Sequence, residues 1–152
     1  MKLYSSIIPA EVINSKAGED IINQCINLLR RSEKYASGRY KAEDLIFDCS
    51  EGRSFLWAVT TEDAVVTAAC VVEFAPYHRK IAFRIIALGG FNMKYWIDDL
   101  HGKLMQFAND GGAELMEIYG RSGWERILAK YGYKKTVILL EVNLGQGQQA
   151  AN

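Results

Sequence analysis

The sequence predicts a single α/β domain of the α+β kind. Two observations carry this. The apolar pattern changes from helical spacing to alternation near residue 54, and returns to helical spacing after Gly89-Gly90. The chain has 152 residues, 49% hydrophobic and 24% charged, which suits one ordinary globular core. A chain of this length buries roughly 70% of its unfolded surface, so it holds together without staples.

The elements follow in order. Residues 3–8 (LYSSII) read as a strand ended by Pro9. Residues 19–36 read as a helix, because Ile21, Ile22, Cys25, Leu28 and Leu29 repeat on one face, with Gly38 as its stop. Residues 42–50 form a second helix with Leu45, Ile46 and Cys49 together, and Glu51-Gly52 turns the chain. Three strands come next, at 54–60, 64–74 and 80–88. Their short polar connections, one of them holding Pro76, imply antiparallel pairing. Residues 93–109 form a long helix through Trp96, Ile97, Leu100, Leu104, Phe107 and Ala108, with Asn92 as its cap and Gly111-Gly112 after it. Residues 113–119 form a strand. Ser122 and Glu125, three apart, have the spacing of a capping box opening a fourth helix. Arg126 and Lys130 suit its later turns, and Gly132 the left-handed position after it. Residues 133–143 form a sixth strand. The polar tail, 145–152, lacks a packing face and reads as disordered, leaving residues 1–144 as the domain.

Charge and cysteine usage narrow the function classes. Lysine and arginine total 18, as do aspartate and glutamate. A balanced chain lacks the basic excess that nucleic acid or an anionic membrane usually requires, so neither is expected as a partner. Residues 1–76 carry 8 basic against 11 acidic groups, a net of −3; residues 77–152 carry 10 against 7, a net of +3. That bias suits an anionic ligand in the second half. Cys25, Cys49 and Cys70 are widely spaced, without a CxxC pair or neighbouring histidines. They read as reduced core residues and imply a cytoplasmic or otherwise reducing compartment. No apolar run approaches the roughly 20 residues of a membrane span, and the apolar stretch in MKLYSSIIPAEVINS is too short for a signal peptide. No metal site is expected; His101 reads as a surface or helix-packing residue.

Two segments hold candidate chemistry. LGGFNM, residues 88–93, joins a strand to the long helix. Such a turn either exposes backbone N–H groups to a phosphate or simply needs glycine for its geometry. RSGWERILAKYGY, residues 121–133, is the second. The order of elements, the glycine turn and the Gly132-Tyr133 ending resemble the GNAT-type acyl-CoA N-acyltransferases, most clearly from 54 to 143. The resemblance implies a mixed central sheet of about six strands flanked by about four helices. It also implies acetyl-CoA as the acyl donor, an amine as acceptor, and a pyrophosphate site formed by Leu88, Gly89, Gly90, Phe91, Asn92 and Met93. The departures are specific. The spacing around Gly89-Gly90 does not fit the family loop, Arg121 and Trp124 replace an asparagine and an alanine, and Leu128 stands where many members carry an acid tyrosine. The phrase GRSGWERILAKYGY is similar to a divergent GNAT-like group of tailed bacteriophages, which would place the protein in the host cytoplasm or the virion.

Acyl transfer needs a base for the amine and an acid for the departing thiolate. Glu73 and Glu117 are the candidate bases and Tyr119 the candidate acid; the plainer reading of each is an exposed polar position on a half-buried strand. Arg121 either reaches a phosphate bidentately or is a solvated arginine. Trp124 reads as a core or pocket-wall residue. Asp98-Asp99 reads as a solvated face whose charge would repel a phosphate nearby. Three readings stay open: an N-acetyltransferase, a GNAT-like binding or virion-associated protein that has lost catalysis and has a protein partner, and an unrelated α+β interaction module. A splay between the strands at 80–88 and 113–119 separates the first from the others, and a free sheet edge would favour a homodimer.

Overall fold

The computed structural model describes residues 2–120 and 122–145, Ser122 by its backbone alone. Contacts divide the chain into two units, residues 1–121 and 122–152. The first holds β1 (Leu3–Ile8), α1 (Ala10–Ile13), α2 (Glu19–Glu33), α3 (Ala42–Ser50), β2 (Phe55–Thr61), β3 (Val66–Pro76), β4 (Ile81–Gly90), α4 (Ile97–Asp110) and β5 (Leu115–Ile118). Short 3-10 turns occupy Lys16–Gly18 and Met93–Tyr95. The second unit holds α5 (Ser122–Leu128) and a 3-10 turn at Ala129–Tyr131.

The five strands form one mixed sheet in chain order, β1 to β5. The first four pair antiparallel and β5 joins β4 in parallel. The antiparallel meander agrees with its short connections. Parallel β4 and β5 need a crossover, which α4 provides. On one face α2 and α3 bury Ile22, Cys25, Leu28, Leu29, Leu45, Ile46 and Cys49 against Leu56, Ala58, Ala69, Val71 and Ala87. On the other, Phe107 of α4 meets Phe55, Trp57, Phe74 and Phe83 at centroid distances of 5.1–5.8 Å. Edge-to-face aromatic geometry dominates this cluster. The three cysteines are free and buried. Burial pushes the thiols of Cys25 and Cys49 up to about 12, and Cys70 higher still.

Several expectations change. Among the described residues the sheet has five strands, not six: 133–144 has no strand pairing. The sequence there is rich in β-forming residues, but a strand exists only with a partner. Five α-helices stand among the described residues where about four were expected, because Ala10–Ile13 makes a single turn after Pro9. Pro76 does not lie in a loop; it is the last residue of β3, opposite Ile81, an end position that tolerates a missing N–H. Asn92 makes no side-chain cap, since the long helix starts at Ile97 with Trp96 at its N-cap. Gly132 does adopt the left-handed conformation, at φ 91°. The Ser122 side chain and the tail beyond residue 145 lie outside the described residues.

Candidate functional site

Two neighbouring features of the first unit define the site. The first is where β4 and β5 part. Their ladder runs only from Ala82–Leu115 to Ile85–Ile118. Beyond it β4 continues through Ile86–Gly90 beside β3. A bulge at this point sets Val72 opposite Ile85 and Val71 opposite Ala87, leaving Ile86 without a register partner. From Ile86 onward the β5-side edge of β4 is unpaired among the described residues. Such an edge presents backbone donors and acceptors to an extended ligand.

The edge leads to the predicted phosphate turn, which the structure divides. Leu88, Gly89 and Gly90 belong to β4; Phe91 and Asn92 turn the chain; Met93 opens the 3-10 turn. Neither glycine needs a positive φ. Their small size answers to packing instead. A Cβ on Gly89 would lie 2.2 Å from the Leu28 carbonyl oxygen of α2, and one on Gly90 would lie 2.6 Å from the Cβ of Ala68. The left-handed residue of the turn is Asn92, at φ 56°, which asparagine tolerates better than most side chains. The Trp96 indole donates to the Phe91 carbonyl at 2.6 Å and fixes the turn against α4. Phe91 and Tyr95 are 54% and 67% exposed. Arg31, from the last turn of α2, donates to the Gly90 carbonyl at 3.3 Å and lies 4.2 Å from the centre of the Phe91 ring. It brings a cation to a turn whose own neighbours, Asp98 and Asp99, are acidic.

The second feature lies below the split. Register sets Glu73 opposite Arg84 and Arg84 opposite Glu117, so three adjacent strands carry these groups in one row on one face. Arg84 donates through Nη1 to Glu73 at 3.0 Å and through Nε to Glu117 at 2.7 Å. Its Nη2 donates to the Tyr77 hydroxyl at 2.8 Å, and that hydroxyl donates to Glu117 at 2.8 Å. The Tyr119 ring stacks on the guanidinium at 4.7 Å. The Arg84 side chain is 16% exposed, so removing one partner of the row costs more than breaking a surface pair. Partial burial works against the guanidinium charge, but hydrogen bonds to Glu117 and Tyr77 outweigh it and hold Arg84 above its ordinary value. The bond to Glu117 likewise raises Tyr77, against the opposing pull of Arg84.

Glu73, Glu117 and Tyr119 therefore meet around one residue, Arg84. The cofactor candidates line the far end of β4 and its turn. Arg121 lies outside the described residues. Trp124 is half-buried in the second unit, and Leu128 is buried. His101 is buried on α4, where desolvation lowers its pKa against the pull of Asp98. Among the described residues, no group of three histidine, cysteine or carboxylate side chains is placed to hold a metal ion, and no helix is long and apolar enough to cross a membrane. Sequence reasoning missed Tyr77 and Arg31. A lone arginine on an apolar strand, with one glutamate on each flanking strand, signals the Arg84 cluster; Arg31 approaches the turn only through the packing of α2.

No family model matches the sequence, and no curated protein matches it. Solved structures do. An acetyltransferase of Trypanosoma brucei superposes with a TM-score of 0.66 at 7% identity, over 94% of this chain and 100% of its own. An aminoglycoside acetyltransferase from an uncultured soil metagenomic sample gives 0.68 at 11% identity, over 95% and 100%. A GNAT family acetyltransferase of Staphylococcus aureus gives 0.63 at 14%, again over 95% and 100%. The chain has the fold of the GNAT acetyltransferases.

Proposed function

We propose that the chain transfers an acetyl group from acetyl-CoA to an amine. The observation that carries this is the edge of β4 left unpaired at Ile86–Gly90, directly above the Glu73–Arg84–Glu117 row. An extended amide chain can pair with that edge, with its phosphates toward the turn at 91–93, the first N–H groups of α4 and Arg31. Its thioester would then lie near Ile85 and Ile118. The amine nitrogen attacks the carbonyl carbon, the C–N bond forms, the C–S bond breaks, and the thiolate leaves with the bonding electrons. Glu117 or Glu73 takes the amine proton, directly or through water, and Tyr119 returns one to the thiolate.

A second reading is favoured by one observation. Both carboxylates already receive hydrogen bonds from Arg84, and Leu128 cannot donate a proton. A chain built this way would keep the fold as a binding protein without catalysis, as in a virion-associated role for a bacteriophage-encoded protein. Thiol release from acetyl-CoA, measured over a panel of polyamines, aminoglycosides and peptide N-termini, distinguishes the two. Amine-dependent release, falling about a hundredfold in Glu117→Gln, supports catalysis. Binding of acetyl-CoA without release for any amine supports the second reading.

A further inference from the structure

The two carboxylates of the Arg84 row are not held alike. Three donors fall on one oxygen of Glu117. Arg84 Nε and Nη2 each lie 2.7 Å from Oε1, and the Tyr77 hydroxyl donates to it at 2.8 Å. Among the described residues nothing donates to Oε2. Glu73 is met, among the same residues, by Arg84 Nη1 at 3.0 Å and by no second donor. The Tyr77 proton has one direction open to it. The phenol oxygen accepts from Arg84 Nη2 at 2.8 Å, and a guanidinium offers no acceptor in return, so the proton goes to Glu117. Backbone geometry fixes where the ring starts. Pro76 ends β3 immediately before it, and the Tyr77 N–H donates to the Lys80 carbonyl at 2.9 Å, closing the short connection to β4.

A base must present one oxygen to the incoming proton and keep presenting it. We infer that Tyr77 is a positioning residue: with Arg84 it pins Oε1 of Glu117 and leaves Oε2 for the amine, making Glu117 rather than Glu73 the base. This rests on the acetyl-transfer reading. As the C–N bond forms, the proton passes from the amine nitrogen to Oε2, while Tyr77 and Arg84 keep their own protons. Glu73, held through one contact, can rotate away from any single orientation and serves to balance the Arg84 charge.

The test measures thiol release from acetyl-CoA over the same amine panel for the wild type, Tyr77→Phe, Glu117→Gln, Glu73→Gln and the Tyr77→Phe, Glu117→Gln double variant. Tyr77→Phe keeps the ring and removes the hydroxyl; it should lower kcat about tenfold with the KM values for acetyl-CoA and amine within about twofold. The double variant should be no slower than Glu117→Gln, because Tyr77 acts through Glu117. Glu73→Gln should keep kcat within about threefold. A second readout needs no turnover: ring-carbon NMR of labelled tyrosines, with Tyr77 assigned by its loss in Tyr77→Phe. The bond to Glu117 holds the Tyr77 phenol above its ordinary value against the pull of Arg84, so Glu117→Gln should lower its titration point further than Glu73→Gln does. An active wild type with Tyr77→Phe unchanged overturns the inference and leaves acetyl transfer standing. So does a loss in Glu73→Gln equal to that in Glu117→Gln, a double variant slowed by the full product of the two, or a Tyr77 titration indifferent to Glu117→Gln. A folded wild type that releases no thiol with any amine overturns acetyl transfer itself, and the inference with it.

Discussion

Arg84 is the residue on which the candidate catalytic groups depend. It neutralises two carboxylates, aligns the Tyr77 hydroxyl and supports the Tyr119 ring. Arg84→Met should destabilise the chain by about 1–3 kcal/mol, because it leaves two facing glutamates without a cation in a partly buried row. Urea denaturation measures this. Glu73→Gln, at a more exposed partner, should cost less than about 1 kcal/mol; a larger loss there would mean Glu73 holds the row more firmly than its exposure implies. The cysteines give a pH signature. Cys25 and Cys49 have folded values near 12 against an ordinary 9.0, so the native state holds their protons more tightly than the unfolded one. Their contribution is fully present below pH 9 and is lost as pH rises toward 12. Stability measured between those limits should fall with pH, and Cys25→Ala, Cys49→Ala should flatten that slope. A slope unchanged in the double variant would assign the loss to other groups.

Elements were legible in the sequence where apolar spacing alone decides them. The faces of α2 and α3 and the three-strand meander follow from period and short connections. What escaped depends on partners. The row Glu73–Arg84–Glu117 exists because the β3–β4 and β4–β5 registers align three distant residues, and one strand's pattern cannot state a register. The glycine pair was legible as a close approach, with a phosphate or the geometry of the turn as its reason. The atoms that approach Gly89 and Gly90 are Leu28 and Ala68. Gly89→Ala and Gly90→Ala should each cost about 1–3 kcal/mol from overpacking. Gly102→Ala, inside α4 with open space around its Cβ position, should instead stabilise by about 0.5–1 kcal/mol. Thermal melts of the three variants check this contrast, and equal effects would contradict it. The long helix was legible over most of its length; its start moved to Ile97 because the Trp96 indole turns back to Phe91.

At the scale of the whole molecule, the fold supplies the edge on which the proposed ligand would lie. A parallel strand added to an antiparallel meander, and released from it after four pairs, leaves β4 with an edge at the head of α4 that is unpaired among the described residues. Charge is distributed to match. The acidic start of α4 is answered by Arg31 from the opposite face of the sheet, across the end of β4. The direct measurement of the central claim is isothermal titration of the folded chain with acetyl-CoA, beside Arg31→Glu. The account predicts micromolar binding, weakened about tenfold or more by the charge reversal. Absence of binding at millimolar acetyl-CoA would contradict it, and binding indifferent to Arg31→Glu would move the phosphates away from the turn at 91–93.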